Sequence, residues 1–166
     1  MAFAIYLALT GRAFSREALA AFFWPEQDER SARTDLRRTL HELNRLLGVG
    51  WLRVEEEAIQ FQAQPSLWID VVEFRRLLAV CGKHGHAAAA VCPQCLPLLA
   101  QAVALYQDDF LAGFSLSDSP AFDDWQFFEG EQLRDEFAGA LDRLVQAYTK
   151  QANYGQAIVS ARALGA

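Results

Sequence analysis

Apolar positions recur at helical spacing along most of the chain, with one short stretch of alternation near residue 55. Residues 2–9 are apolar almost without a break and predict a short buried helix that Gly11 ends. It opens at the first residue with no capping signal, so further sequence is expected upstream. Ser15 supplies an N-cap and Glu17 a first-turn acid for a second helix, where Leu19, Phe22 and Phe23 return at helical spacing. Trp24-Pro25 ends it, because the residue before a proline disfavours the helical region. A third helix is predicted over Glu29–Leu47, with Ala32, Leu36, Leu40, Leu43 and Leu47 as one apolar stripe and Gly48 and Gly50 as its stop. Trp51–Val54 and Ala58–Gln62 read as two short strands joined through Glu55–Glu57.

Pro65 marks a junction within Gln62–Ser66, and beyond it no strand signal survives. Helices are predicted over Val71–Cys81, over Leu96–Tyr106, from Pro120 to about residue 152, and over Tyr154–Leu164. Asp108–Pro120 reads as a loop, with Asp118 or Ser119 capping the long helix. Leu141, Leu144, Tyr148, Tyr154, Ala157 and Ala161 have the spacing of a tetratricopeptide helix pair, a unit that cannot bury its own face, so further repeats are expected downstream. The expected fold class is mainly α. A winged helix-turn-helix with one small β hairpin occupies residues 1–64, and a tetratricopeptide-like helical domain occupies 65–166.

Hydrophobic residues make up 52% of the chain and charged residues 22%, which supplies a core and excludes a disordered class. No apolar run reaches the roughly 18 residues of a membrane span, and Ala2–Leu9 lacks the basic flank and cleavage site of a signal peptide. The net charge of −6 argues against a nucleic-acid partner until its distribution is considered. Residues 65–166 hold 12 acids against 7 bases, whereas residues 30–47 hold five Arg against Asp35 and Glu42. The face of the third helix opposite its leucines carries Arg30, Thr34, Arg37, Arg38, His41 and Arg45.

A third helix of this kind, followed by a hairpin, suits the major groove. The leucines seat it, and the guanidinium forks pair with phosphates or with guanine. Thr34, Arg37, Arg38 and His41 are placed for base edges or nearby phosphates, and Arg30 and Arg45 for phosphates. Arg53 is a wing candidate, although the acidic tip Glu55–Glu57 suits phosphate poorly. The competing reading is a solvated charged face on a protein-interaction module of a multidomain regulator that binds no DNA.

All three cysteines fall in Cys81-x2-His84-x-His86-x5-Cys92-x2-Cys95. Cys92-Pro-Gln-Cys95 has knuckle spacing, and Cys81 with His84 completes a possible structural zinc site, with His86 as the alternative fourth ligand. Idle free thiols are the other reading; redox chemistry lacks the βαβ context it needs. With no signal peptide, the odd cysteine count favours a reducing cytoplasm. No phosphate loop, nucleophile elbow or His-Glu-x-x-His motif occurs, and the adjacent pairs Asp108-Asp109 and Asp123-Asp124 do not face each other. No catalysis is expected, and no cofactor is required beyond that possible zinc.

The run Ser15-Arg-Glu-Ala-Leu-Ala, then Phe23-Trp24-Pro25, then Ser31-Ala-Arg-Thr-Asp-Leu-Arg-Arg-Thr-Leu-His-Glu-Leu43 resembles the bacterial transcriptional activator domain regulators, which include antibiotic-regulatory proteins and large multidomain ATPase regulators. Ile69-Asp70-Val71 with Phe74, Leu105-Tyr106, Asp109–Phe114, and Phe122 with Trp125 resemble their second domain. The resemblance runs from about residue 4 to the end of the chain. It implies an OmpR-type winged helix and a tetratricopeptide-like domain. It also implies promoter binding, usually as a dimer on direct repeats of double-stranded DNA, and activation through RNA polymerase. The family's N-terminal strands and later repeats have no counterpart here, and the Cys/His cluster is not part of its general pattern.

Overall fold

The structure is a computed structural model that describes residues 1–87, 90–116 and 118–164. Among these are seven helices and one three-stranded antiparallel sheet, so the protein is mainly helical. The chain forms two compact units. The first comprises Met1–Leu67 and Gly113–Phe127; the second comprises Trp68–Ala112 and the residues from Phe128 onward. A cut at residue 64 alone therefore misplaces residues 113–127, which return to the first unit.

In the first unit, α1 (Ala2–Thr10) buries Ala2, Phe3, Tyr6 and Leu7 and closes at Gly11, whose φ of 65° is left-handed. Strand β1 (Phe14–Ser15) leads into α2 (Arg16–Phe23), where the Ser15 hydroxyl accepts from the Ala18 N–H at 3.1 Å. Helix α3 (Glu29–Leu47) follows, then β2 (Leu52–Val54) and β3 (Ala58–Phe61). Strand order is β1-β3-β2, with Phe14 opposite Ile59 and Leu52 opposite Phe61. The expectation of a lone hairpin is thus corrected: β1 adds a third strand, and its two residues are too few to show alternation. Along β3, Ile59 and Phe61 point inward and are buried. Ser119 caps the long helix with its hydroxyl and donates to the Phe22 carbonyl at 2.7 Å. Tyr6, Phe22, Phe23, Phe122 and Trp125 form one aromatic cluster, with Tyr6 stacked on Phe22 at 4.4 Å.

In the second unit, α4 (Asp70–Gly82) packs against α5 (Cys95–Leu105). Phe74, Leu77, Ala102 and Leu133 make one buried cluster; Cys81, Cys95, Leu99, Ala140 and Leu144 make another. Leu133, Ala140 and Leu144 come from α6 (Pro120–Lys150), whose residues from Phe128 onward belong here. Arg75, half-buried, bridges Glu129 at 2.5 Å and Glu136 at 2.9 Å. Ala152, at a φ of 55°, turns the chain into α7 (Tyr154–Leu164). Of the expected tetratricopeptide positions, Leu141, Leu144 and Ala157 are buried, Tyr148 is half-buried, and Tyr154 and Ala161 are exposed. Ser117, within the loop predicted over Asp108–Pro120, lies outside the described residues. No described helix is long and apolar enough to cross a membrane.

Candidate metal centre and basic helix face

Helix α3 starts where the Asp28 carboxylate accepts from the Arg30 and Ser31 N–H groups at 3.0 and 3.1 Å and from the Ser31 hydroxyl at 2.6 Å. Ala32, Leu36 and Leu40 are buried beneath it, while Leu47, the last member of the predicted stripe, is 37% exposed. All six residues of the opposite face, Arg30, Thr34, Arg37, Arg38, His41 and Arg45, are exposed.

Their engagement differs. Arg33, outside the predicted set, is held by Glu17 at 3.1 Å and Glu29 at 2.7 Å. Arg38 meets Asp35 at 3.5 Å, and the Thr34 hydroxyl donates to the Arg30 carbonyl at 2.9 Å. Among the described residues, the side chains of Arg30, Arg37, His41 and Arg45 have no ion pair or hydrogen bond. Arg30 borders an acid-rich hollow lined also by Glu26, Asp28 and Asp35, so the helix start is the least suited part of the face for an anion. Arg53 is paired with Glu55 at 2.6 Å, so the wing candidate is neutralised by its own tip. Sequence reasoning missed Arg16, which donates to the Glu56 and Glu55 carbonyls at 2.9 and 3.3 Å and fixes that tip; only its position beside the cap residue Ser15 hinted at a role.

The cap makes a pH prediction. The Ser31 hydroxyl and then its N–H hold the Asp28 carboxyl below the usual carboxylate range, outweighing slight burial, with the Arg30 N–H adding to them. A depressed carboxyl stabilises the fold above its unfolded pKa and loses that contribution as pH falls through the folded one. The stability difference between the wild type and Asp28→Asn should therefore narrow as pH is lowered. Urea denaturation of both proteins across acidic pH checks this, and a constant difference would rule out the charged cap.

The second site lies in the connection between α4 and α5. His84 and His86 follow the end of α4, Cys92 precedes α5, and Cys95 is its first residue. Gly85, at a φ of 71°, reverses the backbone between the two histidines, a conformation that a side chain would strain. His84 Nδ1 lies 3.0 Å from Cys95 Sγ and 3.5 Å from Cys92 Sγ; His86 Nε2 lies 3.1 Å from Cys95 Sγ; the two sulfurs are 3.4 Å apart. One donor atom from each of the four residues falls within 4.8 Å of all the others, so this His2Cys2 cluster could hold a metal ion.

The structure thus brings together His84, Cys92 and Cys95 as predicted, and it adds His86 in place of Cys81. Cys81 is still inside α4, on the buried face, with its thiol 3.8 Å from the Cys95 carbonyl. Burial opposes ionisation of Cys92, but the Cys95 N–H, the His84 ring, the Cys95 thiol and the Gln94 N–H outweigh it and bring it down to about 6. Burial pushes Cys95 up to about 12, and contact with Cys92 and Cys81 adds to the rise.

Neither a protein-family model nor a curated protein matches the chain.

Proposed function

We propose that the protein is a DNA-binding transcription regulator of the cytoplasm, an activator whose first unit is a winged helix-turn-helix that lays α3 in the major groove. The carrying observation is the line of unengaged side chains Arg37, His41 and Arg45 on the exposed face of a helix seated by Leu36 and Leu40. Positions four apart stay on one face, and eight residues at about 1.5 Å each span about 12 Å, the length of three to four base-pair steps. Arg38 joins them at the cost of a loose contact with Asp35, and Arg30 serves at the helix start. The second unit is read as a tetratricopeptide-like domain for contacts with RNA polymerase or with other domains of the same protein. Zinc is the metal that the donors of the His2Cys2 cluster suit, in a structural role.

The expected result is binding to a duplex selected from a randomised pool, by fluorescence anisotropy, with log K falling against log salt at a slope of about −2 to −4 for two to four neutralised phosphates. One specific observation favours a second reading, a protein-interaction module: Arg53 is tied to Glu55 at an acidic tip. In that case no duplex is retained even at low salt.

A further inference from the structure

The loop between α4 and α5 carries more chemistry than a connection of its length needs. Four soft or borderline donors converge there, and they come from both ends of the loop. A tetrahedral zinc ion with bonds of about 2.3 Å to sulfur and about 2.0 Å to nitrogen needs donor–donor edges of about 3.3–3.8 Å. Four of the six donor–donor edges measure 3.0, 3.1, 3.4 and 3.5 Å, and all four donors lie within 4.8 Å of one another, so they surround one centre and need a small adjustment to become a regular tetrahedron. The orientation of His86 is fixed independently: its Nδ1 lies 3.1 Å from the Ala87 carbonyl, which can only accept, and in a neutral ring this directs the Nε2 lone pair toward the cluster. A backbone carbonyl behind a histidine is the usual outer support of a metal ligand.

From this geometry we infer that His84 Nδ1, His86 Nε2, Cys92 Sγ and Cys95 Sγ are the complete ligand set of one structural zinc ion that staples the end of α4 to the start of α5. The inference deepens the zinc reading above and is independent of DNA binding. Cys92 and Cys95 both bind as thiolates, so two negative charges balance the ion's two positive ones. The site is then neutral beside the apolar cluster of Leu99, Ala140 and Leu144, where a net charge would be costly. Four protein ligands leave no open position for water or substrate, which makes the site structural. Cys81 is a core thiol and not a ligand.

The test uses the full chain, purified without added metal and also reconstituted with zinc. Elemental mass spectrometry should find one zinc per chain, and cobalt exchange should give tetrahedral visible bands with a thiolate-to-cobalt charge-transfer band. His86→Asn and Cys92→Ser, both at half-buried positions, should keep their helical circular dichroism and lose more than about 100-fold in zinc affinity, above the cost of losing an outer support. Cys81→Ala should keep full stoichiometry. A chain that takes up no metal in either preparation, or that carries iron instead, overturns the zinc reading itself. Zinc retained by His86→Asn but lost from Cys81→Ala overturns only the ligand set.

Discussion

Alanine at both Arg37 and Arg38 should weaken binding to the selected duplex by about 2–6 kcal/mol, from about 1–3 kcal/mol for each guanidinium that meets a base edge or phosphate. The two residues stand about 100° apart around α3, so their side chains reach different contacts. Their effects should not be equal. Arg38 gives up its contact with Asp35, 3.5 Å away, before it can reach the duplex, whereas Arg37 has no such partner among the described residues. Arg37→Ala is therefore expected to be the more damaging single change. The salt slope then tells the two kinds of contact apart: losing a phosphate contact lowers its magnitude by about 0.9, and losing a base contact leaves it unchanged. Equal binding by the wild type and the double variant would remove α3 as the recognition element.

What the sequence disclosed here follows from how each signal is stored. The bounds of α3, its buried leucines and its exposed arginines are local and periodic, so they could be read directly from spacing. Strand β1 could not, because two residues carry no period and their partner is β3, far along the chain. The ion pairs were equally hidden. Glu17 captures Arg33 only because α2 packs on α3, and Arg53 looked free until the strand geometry brought Glu55 against it. In the metal cluster, Cys81-x2-His84 and Cys92-x2-Cys95 have the same spacing, yet α4 continues through Cys81 and holds its thiol in the core, while the turn at Gly85 delivers His86. Spacing picked out three of the four clustered residues, and backbone conformation placed His86 beside them.

Residues 113–127 pose the same problem at a larger scale, because local pattern shows an irregular stretch and a helix start but not which core they enter. Phe122 decides the matter: it is fully buried, with the rings of Trp125, Phe23 and Phe114 centred 5.2, 6.0 and 6.0 Å away. Phe122→Ala should destabilise the first unit by about 3–5 kcal/mol, the range for emptying a buried aromatic site. That is a large part of the roughly 5–15 kcal/mol by which a domain is stable. Native-state hydrogen exchange locates the damage, since tenfold in protection corresponds to about 1.4 kcal/mol. Amides of α1, α2 and α3 should lose protection by about 100-fold or more, while those of α4 and α5 change little. Phe74→Ala, which empties the core of the second unit, should show the reverse pattern. If Phe122→Ala instead spares α1–α3 and loosens α4 and α5, residues 113–127 support the second unit, and a boundary at residue 64 would suffice. If the first pattern holds, a fragment ending at Leu67 lacks part of its own core, and α3 loses the scaffold on which its arginines are displayed.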